Sequence, residues 1–351
     1  MSKHLLFVQI FLCSCIIFGN ITLTGCMQID KDDTDSASAT NFLTVGFEDA
    51  MYNSIQKAVE NASEHDTIFI QNGVYYGPII VDTSIHLIGE NSISTKILIP
   101  RKTMEMRSDD KAVYGVLISA DNCSIKNITI QAEEQSQQTI GVCINGSNSI
   151  VENTIVSTCN RGINIGPELF DKQGIEAISH QELNYCPNNN TIKNNIITDN
   201  NYGIYNIYCS FNNISSNKIY SNSISGIHCY IYSNNNSLYD NDISMNEYGI
   251  RFKSSRNNWV SFNNITKNTK GIYVCCGSQY NQLWMNNFMN NSMHALDFTV
   301  NQWSNDTHGN YWDDYKTAYP NVTATQGRWN NPYNISKGPN FDYFPLTKPI
   351  E

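Results

Sequence analysis

From residue 150 onward the chain repeats one hydrophobic pattern, Ile-x-x-Asn-x-Ile with close variants. It occurs as Ile150/Asn153/Ile155, Ile192/Asn195/Ile197, Ile214/Asn217/Ile219, Leu238/Asn241/Ile243, Val260/Asn263/Ile265 and Leu283/Asn286/Phe288. The asparagines stand 42, 22, 24, 22 and 23 residues apart. A second apolar run follows each: Gly162-Ile163-Asn164-Ile165, Gly203-Ile204-Tyr205, Gly226-Ile227-His228-Cys229, Gly249-Ile250-Arg251-Phe252, Gly271-Ile272-Tyr273-Val274 and a degenerate Ala295-Leu296-Asp297-Phe298. Looser copies stand at Gly115-Val116-Leu117-Ile118 and Gly141-Val142-Cys143-Ile144.

These short runs are rich in β-branched residues, alternate with period two and are separated by Asn, Ser and Gly, so they read as strands. Strands this short bury no face alone; stacked coils do. The period predicts an all-β fold, a single-stranded right-handed parallel β-helix of about ten coils. The repeated asparagines should stack about 4.8 Å apart, their amides bonding along the axis. Leucine-rich repeats share the period but need several Leu per unit. Between residues 190 and 298 only Leu238, Leu283 and Leu296 occur.

Two segments break the pattern. The 42-residue step is one coil plus an insertion, residues 166–187, more charged than its surroundings. Long excursions from a rigid scaffold often carry function, and often are only tolerated loops. Ahead of the repeats, residues 53–62 place Ile55, Ala58, Val59 and Ala62 on one helical face. This predicts an N-terminal helix capping the strand edges of the first coil.

The N-terminus reads as an export signal. Leu5 to Phe18 is an apolar run, short of the roughly 20 residues that span a bilayer. It leads into Leu23-Thr24-Gly25-Cys26, a lipobox with Cys26 as the lipidated residue. The expected organisation is a signal peptide with lipobox (1–26), a flexible tether (27–41), the β-helix (42–308) and a C-terminal closing motif (309–351). The expected location is extracellular, at the cell surface, with membrane contact only through the lipid anchor. Composition narrows the partners. With 22 Lys and Arg against 32 Asp and Glu, net charge −10, no basic stripe exists to neutralise nucleic-acid phosphates. Cysteines 123, 143, 159, 186, 209, 229, 275 and 276 follow Cys26 without a CxxC or zinc spacing. Most read as small buried hydrophobes; Cys159 and Cys186 bracket the insertion and are a candidate disulfide.

Asn53-Ser-Ile-Gln56, Asp66-Thr-Ile-Phe-Ile70, Gly73-Val-Tyr75 and Leu87-Ile-Gly89 resemble the N-terminal portion of pectin-lyase-like β-helices. The repeats resemble those of the NosD-like and carbohydrate-binding/sugar-hydrolase group, as in archaeal surface proteins. Gly309-Asn-Tyr-Trp-Asp-Asp-Tyr315, Asn331-Pro-Tyr333 and Asp342-Tyr-Phe-Pro-Leu346 are similar to the closing motif of those proteins. The resemblance covers about 42–347 and implies functions from polysaccharide cleavage through adhesion to copper delivery. Relatives carry an Asp- and Gly-rich loop, suggestive of calcium, between the Tyr-Trp and Pro-Tyr motifs. Here Lys316 to Asn330 has no acidic residue, so no calcium site is carried over.

Every second strand residue of a β-helix faces outward, so equivalent positions form ladders. Two after each glycine, the outward ladder should be Asn164, Tyr205, His228, Arg251, Tyr273 and Asp297, with Tyr230 and Lys253 two further on. Aromatic faces suit sugar rings, and Arg or Lys neutralises a uronate carboxylate. Tyr205, Tyr230, Lys253 and Tyr273 are therefore candidate carbohydrate ligands. Arg251, Lys253 and His228 are candidate bases for a lyase. Hydrolysis needs paired carboxylates, and only Asp297, with Glu247 nearby, offers one. The bland alternative is a solvated sheet. Met285, Met289, Met293 and His294 supply soft ligands suited to Cu(I), but their spacing converges only on a helix, whereas this segment reads as strand-turn-strand. We therefore expect a monomer that binds extracellular polysaccharide, with no cofactor and no metal. A polysaccharide lyase or hydrolase, and a NosD-like copper-delivery protein, are the alternatives.

Overall fold

The computed structural model describes residues 40–101, 112–167 and 186–351. The signal peptide, Cys26, most of the tether and residues 168–185 of the insertion lie outside them. The described chain winds through three parallel sheets. Sheet A has 10 strands, from Phe42–Val45 to Gln282–Leu283; sheet B has 10, from Gly73–Tyr76 to Tyr311–Trp312; sheet C has 9, from Ile79–Val81 to Met293–Asp297. Thr67–Ile70, Gly73–Tyr76 and Ile79–Val81 make the first complete coil and each later coil adds one strand to every sheet. The fold is thus a parallel β-helix with partial coils at both ends. No helix among the described residues is long and apolar enough to cross a membrane.

Inward residues stack by kind. Val151, Ile192, Ile214, Leu238, Val260 and Leu283 line sheet A, while Val156, Ile197, Ile219, Ile243, Ile265 and Phe288 line sheet B; all are fully buried. Close packing of like side chains at the inter-strand spacing explains the preference for Ile, whose branched β-carbon suits a pleated surface. The N-terminal helix spans Ile55–Glu60, shorter than residues 53–62, with Ser54 capping it and Ile55, Ala58 and Val59 in the core.

The corners carry asparagine, in three ladders rather than one. Asn190, Asn212, Asn236, Asn258, Asn281 and Asn301 line the corner from sheet C to sheet A. Asn195, Asn217, Asn241, Asn263, Asn286 and Asn310 line the corner from A to B. Asn200, Asn222, Asn246, Asn268 and Asn291 line the corner from B to C. Each backbone N–H donates to Oδ1 of the next member, at 2.9 Å from Asn246 to Asn268 for example. Every ladder residue except the terminal Asn301 and Asn310 follows a left-handed one, such as Asn194 (φ 57°), Asp240 (φ 57°) or Phe262 (φ 59°). One expectation needs correction: Asn153 is not a ladder member. Val151 pairs with Ile192, so Thr154 meets Asn195 and Asn153 (φ 53°) takes the left-handed place.

The closing motif ends two of the ladders. Asn340 accepts the N–H of Asn301, and Asp342 accepts the N–H of Asn310 at 2.7 Å and Nε1 of Trp312 at 2.8 Å. Trp312 is sandwiched between Phe288 and Tyr333, 4.2 Å from each. Buried carbonyls and amides left over at the end of a stack are costly unless paired.

Candidate functional site

Six of the predicted site residues, Tyr205, His228, Tyr230, Arg251, Lys253 and Tyr273, share one face of sheet C with the ladder residue Asn164. Asn164, Tyr205, His228, Arg251 and Tyr273 are successive cross-strand partners, and Tyr230 pairs with Lys253 one column over. The residues immediately before the glycines form a further column: Arg161, Tyr202, Ser225, Tyr248 and Lys270. Reading outward from the glycine missed this column, although the same repeat alignment contains it.

Cations and rings alternate across these columns. The Arg161 guanidinium lies 4.2 Å from the Tyr205 ring centre; that of Arg251 lies 4.9 Å from Tyr248 and 5.7 Å from Tyr273. Lys253 Nζ is 4.9 Å from Tyr230, and Lys270 Nζ is 4.3 Å from Tyr248. Such contacts hold long side chains in place without consuming their charge. Lys270 is paired with Glu247 at 2.8 Å. Arg251 and Lys253 have no carboxylate partner among the described residues.

Accessibility grades along the face. Tyr205 and His228 are buried, whereas Tyr230, Tyr248, Arg251, Lys253, Lys270 and Tyr273 are half-buried. His228 therefore lies beneath the face, ringed by Tyr202, Tyr205 and Tyr230 at 5.1 to 5.7 Å. Both its ring nitrogens are buried without a hydrogen-bond partner. Burial first, then Arg251, Lys253 and Arg161, hold its pKa well below the ordinary histidine value. It is a neutral packing residue in this arrangement, out of reach as a surface base.

Asp297 is a correction. The degenerate run is offset by one residue: Leu296, not Asp297, pairs with Tyr273, and Asp297 pairs with the inward Val274. Its buried carboxylate accepts from Trp303 Nε1 at 2.9 Å, Thr299 N at 2.9 Å and Asn301 Nδ2 at 3.0 Å. It anchors the end of the coil. With Glu247 already paired, the described residues of the face offer no carboxylate couple for hydrolysis. The candidate disulfide is also corrected. Cys159 is a free thiol buried with Ile99, Val113 and Ala132 at the B-to-C corner. Cys186 re-enters at the C-to-A corner and meets the thiol of Cys209 instead.

A second cluster sits where the last coil meets the closing motif. A cavity of about 510 Å³ is lined by Asn291, Met293, His294, Asp313, Asp314 and Tyr333, among others. His294 Nε2 lies 2.9 Å from Asp313 and 3.5 Å from Asp314. Met285, Met289 and Met293 lie on a corner, on sheet B and on sheet C respectively, and so do not converge.

The described chain is a parallel β-helix protein. Residues 175–317 match the family model described as periplasmic copper-binding protein (NosD). Among solved structures, pectate lyase Pel9A superposes with a TM-score of 0.50 at 14% identity, over 78% of this chain and 75% of that one. Pectin methylesterase from carrot gives 0.49 at 14% identity, over 72% and 83%. The Azotobacter vinelandii mannuronan C-5 epimerase AlgE6 A-module gives 0.47 at 16%, over 83% and 79%. No curated protein sequence matches the chain.

The family description raises copper, and the His294 cluster is where a cation with nitrogen and oxygen ligands would sit. Its hydrogen bonds do not fit one. Asn291 Oδ1 accepts the N–H of Asn268, and Asn291 Nδ2 donates to the Ile265 carbonyl at 2.7 Å. The same Nδ2 faces His294 Nδ1 at 3.2 Å. Nδ1 must therefore accept, which leaves the proton on Nε2, pointing at Asp313. A metal-binding imidazole needs the opposite: a free Nε2 and an acceptor at Nδ1.

Proposed function

We propose that this chain is an exported, lipid-anchored protein that binds an acidic extracellular polysaccharide on the sheet C face. The observation that carries this reading is the pair of cations, Arg251 and Lys253, without a carboxylate partner among the described residues and each set against tyrosine rings on a protein of net charge −10. A protein this acidic repels polyanions in general, so a local cationic patch selects by position. Tyr230, Tyr248 and Tyr273 offer ring faces to sugars, while Arg251 and Lys253 meet the carboxylates of a polyuronate. Parallel coils space equivalent side chains regularly, which suits a repeating polymer. Acylation at Cys26 would hold this face at the cell surface; a Cys26→Ala variant should leave the membrane fraction.

The test is titration of the purified protein with polyuronates and neutral glucans, while release of reducing ends and unsaturated products is followed. Retention of polyuronate without turnover is expected, weakening with salt and falling about tenfold or more in Arg251→Ala. Equal affinity for neutral glucans, or no binding, would overturn the reading. A lyase is the second reading, favoured by the fold shared with a pectate lyase and by Arg251 standing without a carboxylate among the described residues. It requires unsaturated product that disappears in Arg251→Ala.

A further inference from the structure

We propose that Cys275 and Cys276 form a redox-active pair at the edge of the sheet C face, closing to a disulfide between adjacent residues by exchange with a small-molecule disulfide. The strand Lys270–Cys275 ends at the first thiol, which is buried. Cys276 turns the corner at φ 59° and is the exposed thiol among the described cysteines. The two Sγ atoms lie 2.7 Å apart. An attacking thiol in solvent and a resolving thiol in contact with it are the two parts that exchange needs.

The sequence of steps follows from that asymmetry. Cys276 attacks the incoming disulfide, forming a mixed disulfide and releasing one thiol with its proton. Cys275 then attacks Cys276 Sγ, the protein disulfide forms and the second thiol leaves. The protein loses two hydrogens and two electrons, and the small disulfide is reduced to two thiols. Adjacent Cα atoms are held about 3.8 Å apart, short of the roughly 4.4–6.8 Å span of ordinary disulfides. The product is strained and easily reduced, as reversible rather than structural bonds are. Its place beside Lys253 in the cross-strand register, on the face carrying Arg251, puts the bond next to the patch rather than in the core. The proposal does not rest on glycan binding.

The experiment is treatment of the full-length protein with glutathione disulfide, then blocking of free thiols and mass analysis of the peptide spanning 275–276. Wild type should lose two hydrogens there, carry no glutathione and recover with dithiothreitol. Cys275→Ser should trap glutathione on residue 276. Cys276→Ser should give no adduct, since the remaining thiol is buried; both variants report on the chemistry without requiring any activity. A stable glutathione adduct in wild type, no reaction at all, or bonding of Cys276 to a second copy of the chain would each overturn the proposal.

Discussion

Asn291 presents its side-chain amide nitrogen to Nδ1 of His294 at 3.2 Å. The amide cannot turn over, because its oxygen accepts the Asn268 N–H and its nitrogen serves the Ile265 carbonyl. The last rung of a structural ladder thereby sets the tautomer of a histidine that faces two carboxylates.

The first prediction follows directly. Nitrogen NMR should find His294 protonated on Nε2 and bare on Nδ1, and Cu(II) or Zn(II) at equimolar amounts should leave its signals in place. Asn291→Asp supplies an acceptor to Nδ1 and frees Nε2 toward Asp313 and Asp314. That variant should gain Zn(II) binding by calorimetry, at a cost of about 1–3 kcal/mol in stability for the lost Ile265 bond. Zinc binding by wild type through His294 would contradict the tautomer.

The second concerns the corners. Asn241 gives Nδ2 to the carbonyls of Ile214 and Tyr239 and takes the N–H of Asn217 on Oδ1. Asn241→Ala strands these buried groups and should cost about 2–4 kcal/mol. The exposed, left-handed Phe262 is the opposite case. Phe262→Asn should be neutral or stabilising, by up to about 1 kcal/mol. Urea denaturation of both variants distinguishes them.

Third, Gly226 has no room for a side chain. A Cβ there would stand 2.7 Å from the Gly249 carbonyl oxygen and 3.0 Å from Ile243 Cγ2. Gly226→Ala should destabilise by about 1–3 kcal/mol, read as a fall in melting temperature. His294 occupies this position in the final coil, following Gly271, where no further strand of sheet C packs against it.

Fourth, His228 makes stability fall in acid. Its folded pKa is depressed, so below the ordinary histidine value the unfolded chain takes up a proton that the folded chain refuses. The contribution is complete above pH about 6.5 and is lost as pH falls below it, by up to about 1.4 kcal/mol per pH unit. His228→Phe should flatten the difference between pH 7 and pH 5 relative to wild type. An unchanged slope would mean that His228 takes up the proton in the fold.

Much of this architecture was legible in the chain. The repeats contained all three ladders, since Asn236, Asn241 and Asn246 recur at five-residue steps, as do Asn258, Asn263 and Asn268. Only the middle series stands out in the repeat, because apolar residues flank it on both sides. The left-handed tolerance of asparagine was not the main reason for its abundance. Tyr280, Met245 and Phe262 also take left-handed corners, whereas the neighbouring rung needs an amide that both donates and accepts. Arg251, Lys253 and the tyrosines were legible as a face because period-two alternation survives stacking. Asp297 was misplaced because a single-residue offset turns every following side chain to the other side of the sheet.

The sequence by itself determined the repeat, the strand period, the asparagine corners and the column of aromatic and cationic residues, because each is a local regularity copied from coil to coil. Only the tertiary structure decided the register at the degenerate ends, the burial of His228, the meeting of Cys186 with Cys209 and the tautomer of His294. These depend on which groups are left unpaired when stacking stops, and the repeat carries no instruction for its own termination.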